Sequence, residues 1–142
     1  MARAAGVQEI IPALRKATPR PIVERWTLLL RHKNRLLIEH RPADGRWAGL
    51  WQFVTIEPSR DLAPADRFSA EIGVTITGLA WIGYIAHALT HRRYRFDVFT
   101  CDVRDEVPVK LAPSRRWVSL TELAEFPLPR PHLKIAELLR ER

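Results

Sequence analysis

The chain has few cysteines and no long apolar run, and each shortage excludes a class of protein. Cys101 is the single cysteine among 142 residues, so an internal disulfide or a site with several thiolate ligands is excluded. No apolar stretch approaches the roughly 20 residues that a membrane-spanning helix needs. Arg3, Gln8 and Glu9 interrupt the N-terminal segment, which therefore lacks the apolar core of a secretory signal. These absences predict a soluble, cytoplasmic protein without a membrane partner.

Acidic residues are also few in comparison with basic ones. The chain holds 23 Lys and Arg against 16 Asp and Glu, a formal net charge of +7. Such a surplus says more about partners than about the fold, and nucleic acid is the commonest polyanion that a basic domain meets. Hydrophobic residues make up 46% of the chain and charged residues 27%, which is ordinary for a globular domain and excludes a disordered chain.

The order of predicted elements indicates an α+β fold in a single domain. Residues 1–20 are predicted to be a connector, because small residues are followed by Pro19 and Pro21, and the globular part is predicted to span residues 21–142. Alternation and apolar runs predict strands at 25–31, 35–40, 51–56, 74–76, 79–89, 94–103 and 117–118. Capping signals predict helices at 64–72, 119–125 and 132–142.

The stretch from His87 to Val98 is the strongest functional signal. A long apolar strand ends in a small polar turn, positive charge accumulates, and an alternating strand then resumes. The tip of the resulting hairpin carries a hydrophobe, a hydroxyl, an imidazole and guanidinium groups, and its candidate residues are Leu89, Thr90, His91, Arg92 and Arg93. Such groups suit contacts with a nucleic-acid backbone and one base edge better than they suit bond-breaking chemistry.

Each candidate also has a structural interpretation. The Thr90 hydroxyl can bond its own backbone, and His91 can be a neutral turn residue. His87 is predicted to be a satisfied structural histidine, and Cys101 a small buried hydrophobe. Trp47 and Trp51 are expected to pack in the core or to anchor a loop. Arg41 and Arg46 are expected either to contact phosphates or to be solvated on the loop surface. Ordinary solvated charge is expected for Arg115, Arg116 and Arg140.

Two segments resemble a known family. Residues 41–53, RPADGRWAGLWQF, resemble the RP-x-x-G-x-W-x-GLW-x-F segment in the C-terminal domain of the MutY adenine DNA glycosylase family. Residues 87–91, HALTH, are similar to the H-x-F-S-H loop of the same domain. The resemblance extends over roughly residues 21–139. It implies a Nudix-like mixed β-sheet flanked by helices, and a domain that contacts 8-oxoguanine mispaired with adenine.

The resemblance also implies a role for each candidate residue. Thr90 would meet the edge of the oxidised base, and Leu89 would press against the adjacent sugar or base. His91, with Arg92 or Arg93, would hold phosphates. Supporting positions in the loop would be Arg41, Arg46 and Trp47. Leu89 and Thr90 stand where the family has phenylalanine and serine, so the hydroxyl is kept while the aromatic ring is lost.

Partners and cofactors follow from the same resemblance. The connector at 1–20 resembles the stretch after the iron–sulfur cysteines of the glycosylase, so a catalytic domain would precede this chain and would hold the iron–sulfur cluster. We therefore expect no catalytic residue, metal or cofactor within the chain itself. The expected partners are duplex DNA containing 8-oxoguanine opposite adenine and the glycosylase catalytic domain. The expected state is a monomer, associated with the nucleoid in the cytoplasm.

Two other functions stay open. A stand-alone Nudix pyrophosphohydrolase needs a box ending R-E-U-x-E-E-x-G-U, whose glutamates hold magnesium ions. Here Glu71 matches the last glutamate, but Asp66, Arg67 and Ala70 occupy the positions of the arginine and the first two glutamates. Besides Asp66, only Glu57 is a nearby substitute, so this function is disfavoured. The third function is a protein-interaction domain whose positive face is incidental.

Overall fold

The described residues fold into one mixed sheet with helices on both faces. The computed structural model describes residues 21–43, 45–103 and 114–140, so the predicted connector at 1–20 lies outside the described residues. The strands are β1 Ile22–His32, β2 Arg35–His40, β3 Trp51–Ile56, β4 Ala80–Ala88, β5 Arg93–Asp102 and β6 Arg115–Ser119. The helices are α1 Pro64–Ile72, α2 Leu120–Leu123 and α3 Arg130–Arg140. The predicted α+β class is confirmed.

The strands are ordered β4-β5-β1-β3-β2-β6 across the sheet. The β1–β5 pair is parallel, while the other neighbours are antiparallel. The apolar run of β1 explains its place inside the sheet, because Leu28, Leu29 and Leu30 are all fully buried and must be covered on both faces. The edge strands are β4, which belongs to the candidate hairpin, and β6.

Alternation along the strands divides the core into two layers. On one face Leu28, Leu30 and Val54 pack with Phe68 of α1. On the other face the buried residues belong to the strands and to α2 and α3, and they are Leu29, Leu36, Ile38, Phe53, Tyr94, Phe96, Val98, Val118, Leu123, Ile135, Ala136 and Leu139. The second layer supports the base of the hairpin formed by β4 and β5.

The predicted helix signals are present in the structure. Pro64 lies in the first turn of α1, and Gly73, with a φ of 90°, ends the helix in the left-handed conformation. At the start of α2 the Ser119 hydroxyl accepts from the Glu122 N–H at 3.0 Å. The Glu122 carboxylate in turn accepts from the Ser119 N–H at 2.8 Å. This reciprocal pair confirms the predicted capping box.

Several boundaries differ from the prediction. The expected strand at 74–76 is absent, because the Ile76 N–H donates to the Ser69 hydroxyl at 2.8 Å and has no partner strand. The first strand begins at Ile22 rather than Arg25, and α2 ends at Leu123. The final helix begins at Arg130 rather than at His132. Pro131 is tolerated in the first turn because the N–H that proline lacks would have no acceptor within the helix there. None of the helices in the described ranges is long and apolar enough to cross a membrane.

Candidate nucleic-acid interface

The hairpin of β4 and β5 presents a short exposed tip. The strands pair up to Ala88 and Arg93, and the Leu89 N–H donates to the Arg92 carbonyl at 2.8 Å, which closes the loop. Thr90 and His91 therefore form the tip, and both are exposed. Leu89 is half-buried and packs against the core layer under α3. Part of the Leu89 side chain is thus committed to the fold, while the two tip side chains project into solvent.

The arginines that follow the tip have different surroundings. Arg93 is exposed, and its N–H donates to the Pro21 carbonyl at 2.9 Å, which ties the hairpin to the start of β1. Arg95 bonds Asp97 at 3.1 Å, and its guanidinium lies 4.0 Å from the ring centroid of Tyr84. Within the described ranges neither Arg92 nor Arg93 has an ion pair with a carboxylate. The arginines predicted to contact phosphates are therefore among those whose charge no carboxylate compensates within the described ranges.

The loop between β2 and β3 folds back on itself. The Arg41 N–H donates to the Leu50 carbonyl at 2.7 Å, and the Arg41 guanidinium donates to the Arg46 carbonyl at 3.2 Å. Trp47 adopts a φ of 59°, a left-handed conformation that is uncommon for a residue with a side chain. This local strain is maintained by packing, because the indole is held among other rings.

Trp47 fixes the loop against the base of the hairpin. Its ring centroid lies 5.1 Å from that of Tyr94, 6.1 Å from His87 and 6.4 Å from Phe96. Aromatic contacts of this kind add about 0.5–1.5 kcal/mol each to the burial of apolar area. The predicted loop-anchoring role of Trp47 is confirmed, and the two motifs that carried the family resemblance meet in space.

His87 lies where three elements bring basic residues together. Its ring is half-buried, packs against Trp47 and forms no hydrogen bond among the described residues, so its predicted structural role rests on packing. Burial lowers the pKa of His87, and the positive charges of Lys134, Arg130 and Arg46 lower it further. These cations come from the start of α3 and from the loop between β2 and β3. Sequence reasoning named only Arg46 among them.

A small cleft lies beside the Trp47 ring. It has a volume of about 80 Å³, space for roughly two or three water molecules, and is lined by Arg25, Arg41, Arg46, Trp47, Gln52, Thr55, Tyr94 and Phe96. The Arg41 Nε is buried and has no hydrogen-bond partner among the described residues. Three arginines therefore line this cleft together with the aromatic rings of Trp47, Tyr94 and Phe96.

His132 joins the first turn of α3 to the sheet. Its ring is fully buried, and its Nδ1 accepts from the Phe53 N–H at 3.3 Å, which leaves the proton on Nε2. Burial lowers the pKa of His132 to about 3, with a smaller contribution from the Arg41 charge. The ring is consequently neutral near pH 7. It packs 5.5 Å from Phe96, so α3 is held close to the Trp47 loop.

The carboxylates near the box remnant are already bound by an arginine. Arg115 donates to Glu39 at 3.2 Å and to Glu71 at 2.8 Å, with 8% of the Arg115 side chain exposed. Arg115 had been expected to be ordinary solvated charge, and that prediction is wrong because α1 and the sheet enclose the guanidinium. In the part of the chain that the structure describes, no three His, Cys, Asp or Glu residues could hold a metal ion. The donor set does not fit the magnesium ions of a pyrophosphohydrolase.

Other predicted positions are placed as follows. Cys101 is buried, and its thiol donates to the Thr77 carbonyl at 3.1 Å, which confirms a small buried side chain. Trp51 packs against Phe126, with ring centroids 5.3 Å apart, as expected for a packing residue. Glu57 and Asp66 are both exposed.

Arg130 and Lys134 were not named in the sequence analysis because they lie about 40 residues from the hairpin, although the basic run PRPHLK was a usable signal.

Sequence comparison relates this chain to known proteins. A family model described as "NUDIX domain" matches residues 25–138. Adenine DNA glycosylase from Rattus norvegicus is 29% identical over 96 residues, which cover 61% of this chain and 18% of that protein. The Homo sapiens protein of the same name is 31% identical over 94 residues, covering 61% and 17%. The chain thus spans less than a fifth of these relatives, and the expected resemblance to adenine DNA glycosylases is confirmed.

Solved structures show the same fold. The C-terminal domain of mouse MUTYH, solved in complex with human PCNA, has a TM-score of 0.71 at 16% identity and covers 83% of this chain and 87% of its own. The MutT protein from Methanosarcina mazei Go1 has a TM-score of 0.70 at 23% identity, covering 88% and 98%. The NUDIX domain of Shewanella oneidensis NrtR, complexed with ADP ribose, has a TM-score of 0.65 at 14% identity, covering 89% and 90%. The expected Nudix-like fold is confirmed.

Proposed function

We propose a DNA-binding function for this chain, which belongs to the NUDIX domain family. In this proposal the chain is the DNA-binding domain of an adenine DNA glycosylase and recognises 8-oxoguanine opposite adenine. One observation carries the proposal. Exposed Thr90 and His91 form the tip of a hairpin whose following cations, Arg92 and Arg93, have no carboxylate partner among the described residues. The similarity to two proteins named adenine DNA glycosylase supports it further.

The tip would read the oxidised base through a hydroxyl. 8-Oxoguanine differs from guanine by a hydrogen on N7 and an oxygen on C8. The Thr90 hydroxyl can accept from N7–H or donate to the C8 oxygen, whereas unmodified guanine offers only an acceptor at N7. Leu89 would press against the neighbouring sugar or base with the part of its side chain that the core leaves exposed. His91 and the two arginines would position the strand through its phosphates.

Excision would belong to the remainder of the glycosylase. A glycosylase flips its target base out of the stack, which requires contacts to both strands near the mispair. This domain would hold the strand with 8-oxoguanine while the catalytic domain, with its expected iron–sulfur cluster, acts on the opposite adenine. The duplex and the catalytic domain are thus the proposed partners, and the domain binds as a monomer.

The arginine bridge of Arg115 argues against nucleotide hydrolysis. Glu71 is the one carboxylate retained from the box, and its negative charge is compensated by Arg115 at 2.8 Å and Arg67 at 3.7 Å. A guanidinium can bind a phosphoryl oxygen, but it cannot supply the activated metal-bound water that a magnesium ion supplies. The MutT likeness is therefore a likeness of fold.

The proposal is tested by titrating the chain against three fluorescent duplexes that contain 8-oxoguanine:adenine, guanine:adenine or guanine:cytosine. We expect tighter binding to the oxidised duplex. Thr90→Ala should reduce this preference, Thr90→Ser should retain it, and Thr121→Ala, an exposed threonine on α2, serves as the matched control. An unchanged preference in Thr90→Ala would remove this residue from the site. Equal binding to all three duplexes would refute lesion recognition and favour a basic or protein-binding domain.

A further inference from the structure

We propose that a second surface, formed by Arg46, His87, Arg130 and Lys134, binds the phosphate backbone of duplex DNA beside the hairpin tip. We call these four residues the α3 basic surface. The inference rests on the proposed function, since it gives the same domain a second DNA contact. It differs in kind from the tip, because phosphate contacts position the duplex and carry no base information.

A row of aromatic rings brings the elements of this surface together. His132 in the first turn of α3 lies 5.5 Å from Phe96, and Phe96 lies 6.4 Å from Trp47. Trp47 in turn lies 6.1 Å from His87 on β4. The start of α3, the loop between β2 and β3 and the base of the hairpin are thereby fixed relative to one another. A rigid support of this kind holds the cations in place before a ligand arrives.

The charges of the α3 basic surface are not compensated within the described ranges. Arg46, Arg130 and Lys134 form no ion pair with a carboxylate there, whereas Arg31, Arg67, Arg95 and Arg115 each have one. Arg46, Arg130 and Lys134 are also exposed. Burial and the charges of these three residues lower the pKa of the half-buried His87 ring, in agreement with the proximity of the elements that the aromatic contacts establish. Like charges held this close favour an anionic ligand.

The spacing of the two helical cations suits a phosphate backbone. Arg130 and Lys134 are four residues apart on α3, so they project from one side of the helix with a rise of about 6 Å between them. Successive phosphates of one strand advance roughly 3.4 Å along the duplex axis, so two side chains about 6 Å apart can reach phosphates one or two nucleotides apart. The surface adjoins the base of the hairpin whose tip is proposed to read the lesion.

The test measures the salt dependence of binding to an undamaged guanine:cytosine duplex. Each phosphate contact contributes about 0.9 to the slope of log affinity against log salt. The double variant Arg130→Gln with Lys134→Gln should lower the slope by about 1.8, and Arg46→Gln should lower it by about 0.9. Arg140→Gln is the matched control, since it removes one exposed positive charge from the far end of the same helix and should leave the slope unchanged.

The outcomes separate this inference from the proposed function. A reduced slope with an unchanged preference for the oxidised duplex supports both. A slope that stays at the wild-type value in the double variant overturns the α3 basic surface, even where the tip still discriminates the lesion. A reduced slope without any lesion preference keeps the surface and refutes 8-oxoguanine recognition. Absence of salt-dependent binding by the wild-type chain overturns the surface outright.

Discussion

Mild acid should destabilise this domain through one buried histidine. His132 is fully buried in the first turn of α3, where its neutral ring accepts a hydrogen bond from the Phe53 N–H. Burial, and then the charge of Arg41, lowers the pKa of His132 to about 3. In the unfolded chain the imidazole has its ordinary pKa of about 6.5. The folded state therefore resists a proton that the unfolded state accepts.

The sign and size of the effect follow from that difference. Because the folded pKa is depressed, the contribution of His132 to stability is fully present above about pH 6.5 and decreases as the pH falls toward 3. Well below pH 6.5, each pH unit lowers the free energy of unfolding by about 1.36 kcal/mol, and near pH 6.5 the loss per unit is smaller because half of the unfolded imidazoles are already protonated. A change from about pH 6.5 to 4.5 should therefore remove about 2.3 kcal/mol. That is a large part of the roughly 5–15 kcal/mol by which a native domain is stable.

Urea unfolding of the wild-type chain and of His132→Gln checks the prediction. Glutamine keeps an acceptor for the Phe53 N–H but has no proton to gain, so the other titrating groups cancel in the comparison. Measured at about pH 6.5, 5.5 and 4.5, the difference in unfolding free energy between the two proteins should fall by about 1.0 kcal/mol over the first unit and by about 1.3 kcal/mol over the second. A difference that is constant with pH would refute the reasoning, since His132 would then bind protons equally in both states.

Two further predictions concern other buried groups. Arg115→Met should lower the free energy of unfolding by about 3 kcal/mol, because it leaves the carboxylate of Glu39 buried beside Glu71 without a cation. Exposed Arg60→Met is the control, expected within about 0.5 kcal/mol of wild type in the same urea assay, and equal losses would contradict the bridge. Burial raises the pKa of the Cys101 thiol, so a thiol-specific reagent should label the native chain far more slowly than the chain in urea. Equal labelling rates in a stopped-flow or absorbance assay would show that the thiol is accessible.

The Arg115 bridge occupies the carboxylate that remains of the Nudix box. In that box several carboxylates share one helix face and need a cation between them. Here one carboxylate of the box remains, and a guanidinium from β6 joins it to Glu39 of β2. The arginine supplies positive charge as part of the chain, so the sheet and α1 keep their packing.

Local patterns in the sequence predicted much of the fold. The alternation of Tyr94, Phe96 and Val98 indicated a half-buried strand, and Ser119 with Glu122 indicated a helix start, and both are observed. The strand expected at 74–76 failed because its apolar residues fit a buried loop equally well. There the Ile76 N–H donates its hydrogen bond to the Ser69 hydroxyl instead of to a carbonyl of a partner strand.

The sequence by itself determined the α+β class, the hairpin with Thr90 and His91 at its tip, and the loop anchored by Trp47. These features depend on turn chemistry, alternation and short motifs, all of which act between near neighbours in the chain. The tertiary structure alone decided that Arg115 meets Glu39, 76 residues away, and that the charges of Arg130 and Lys134 act on His87. Such contacts arise where the packing of two layers on one sheet brings distant segments together, and no local rule encodes that packing.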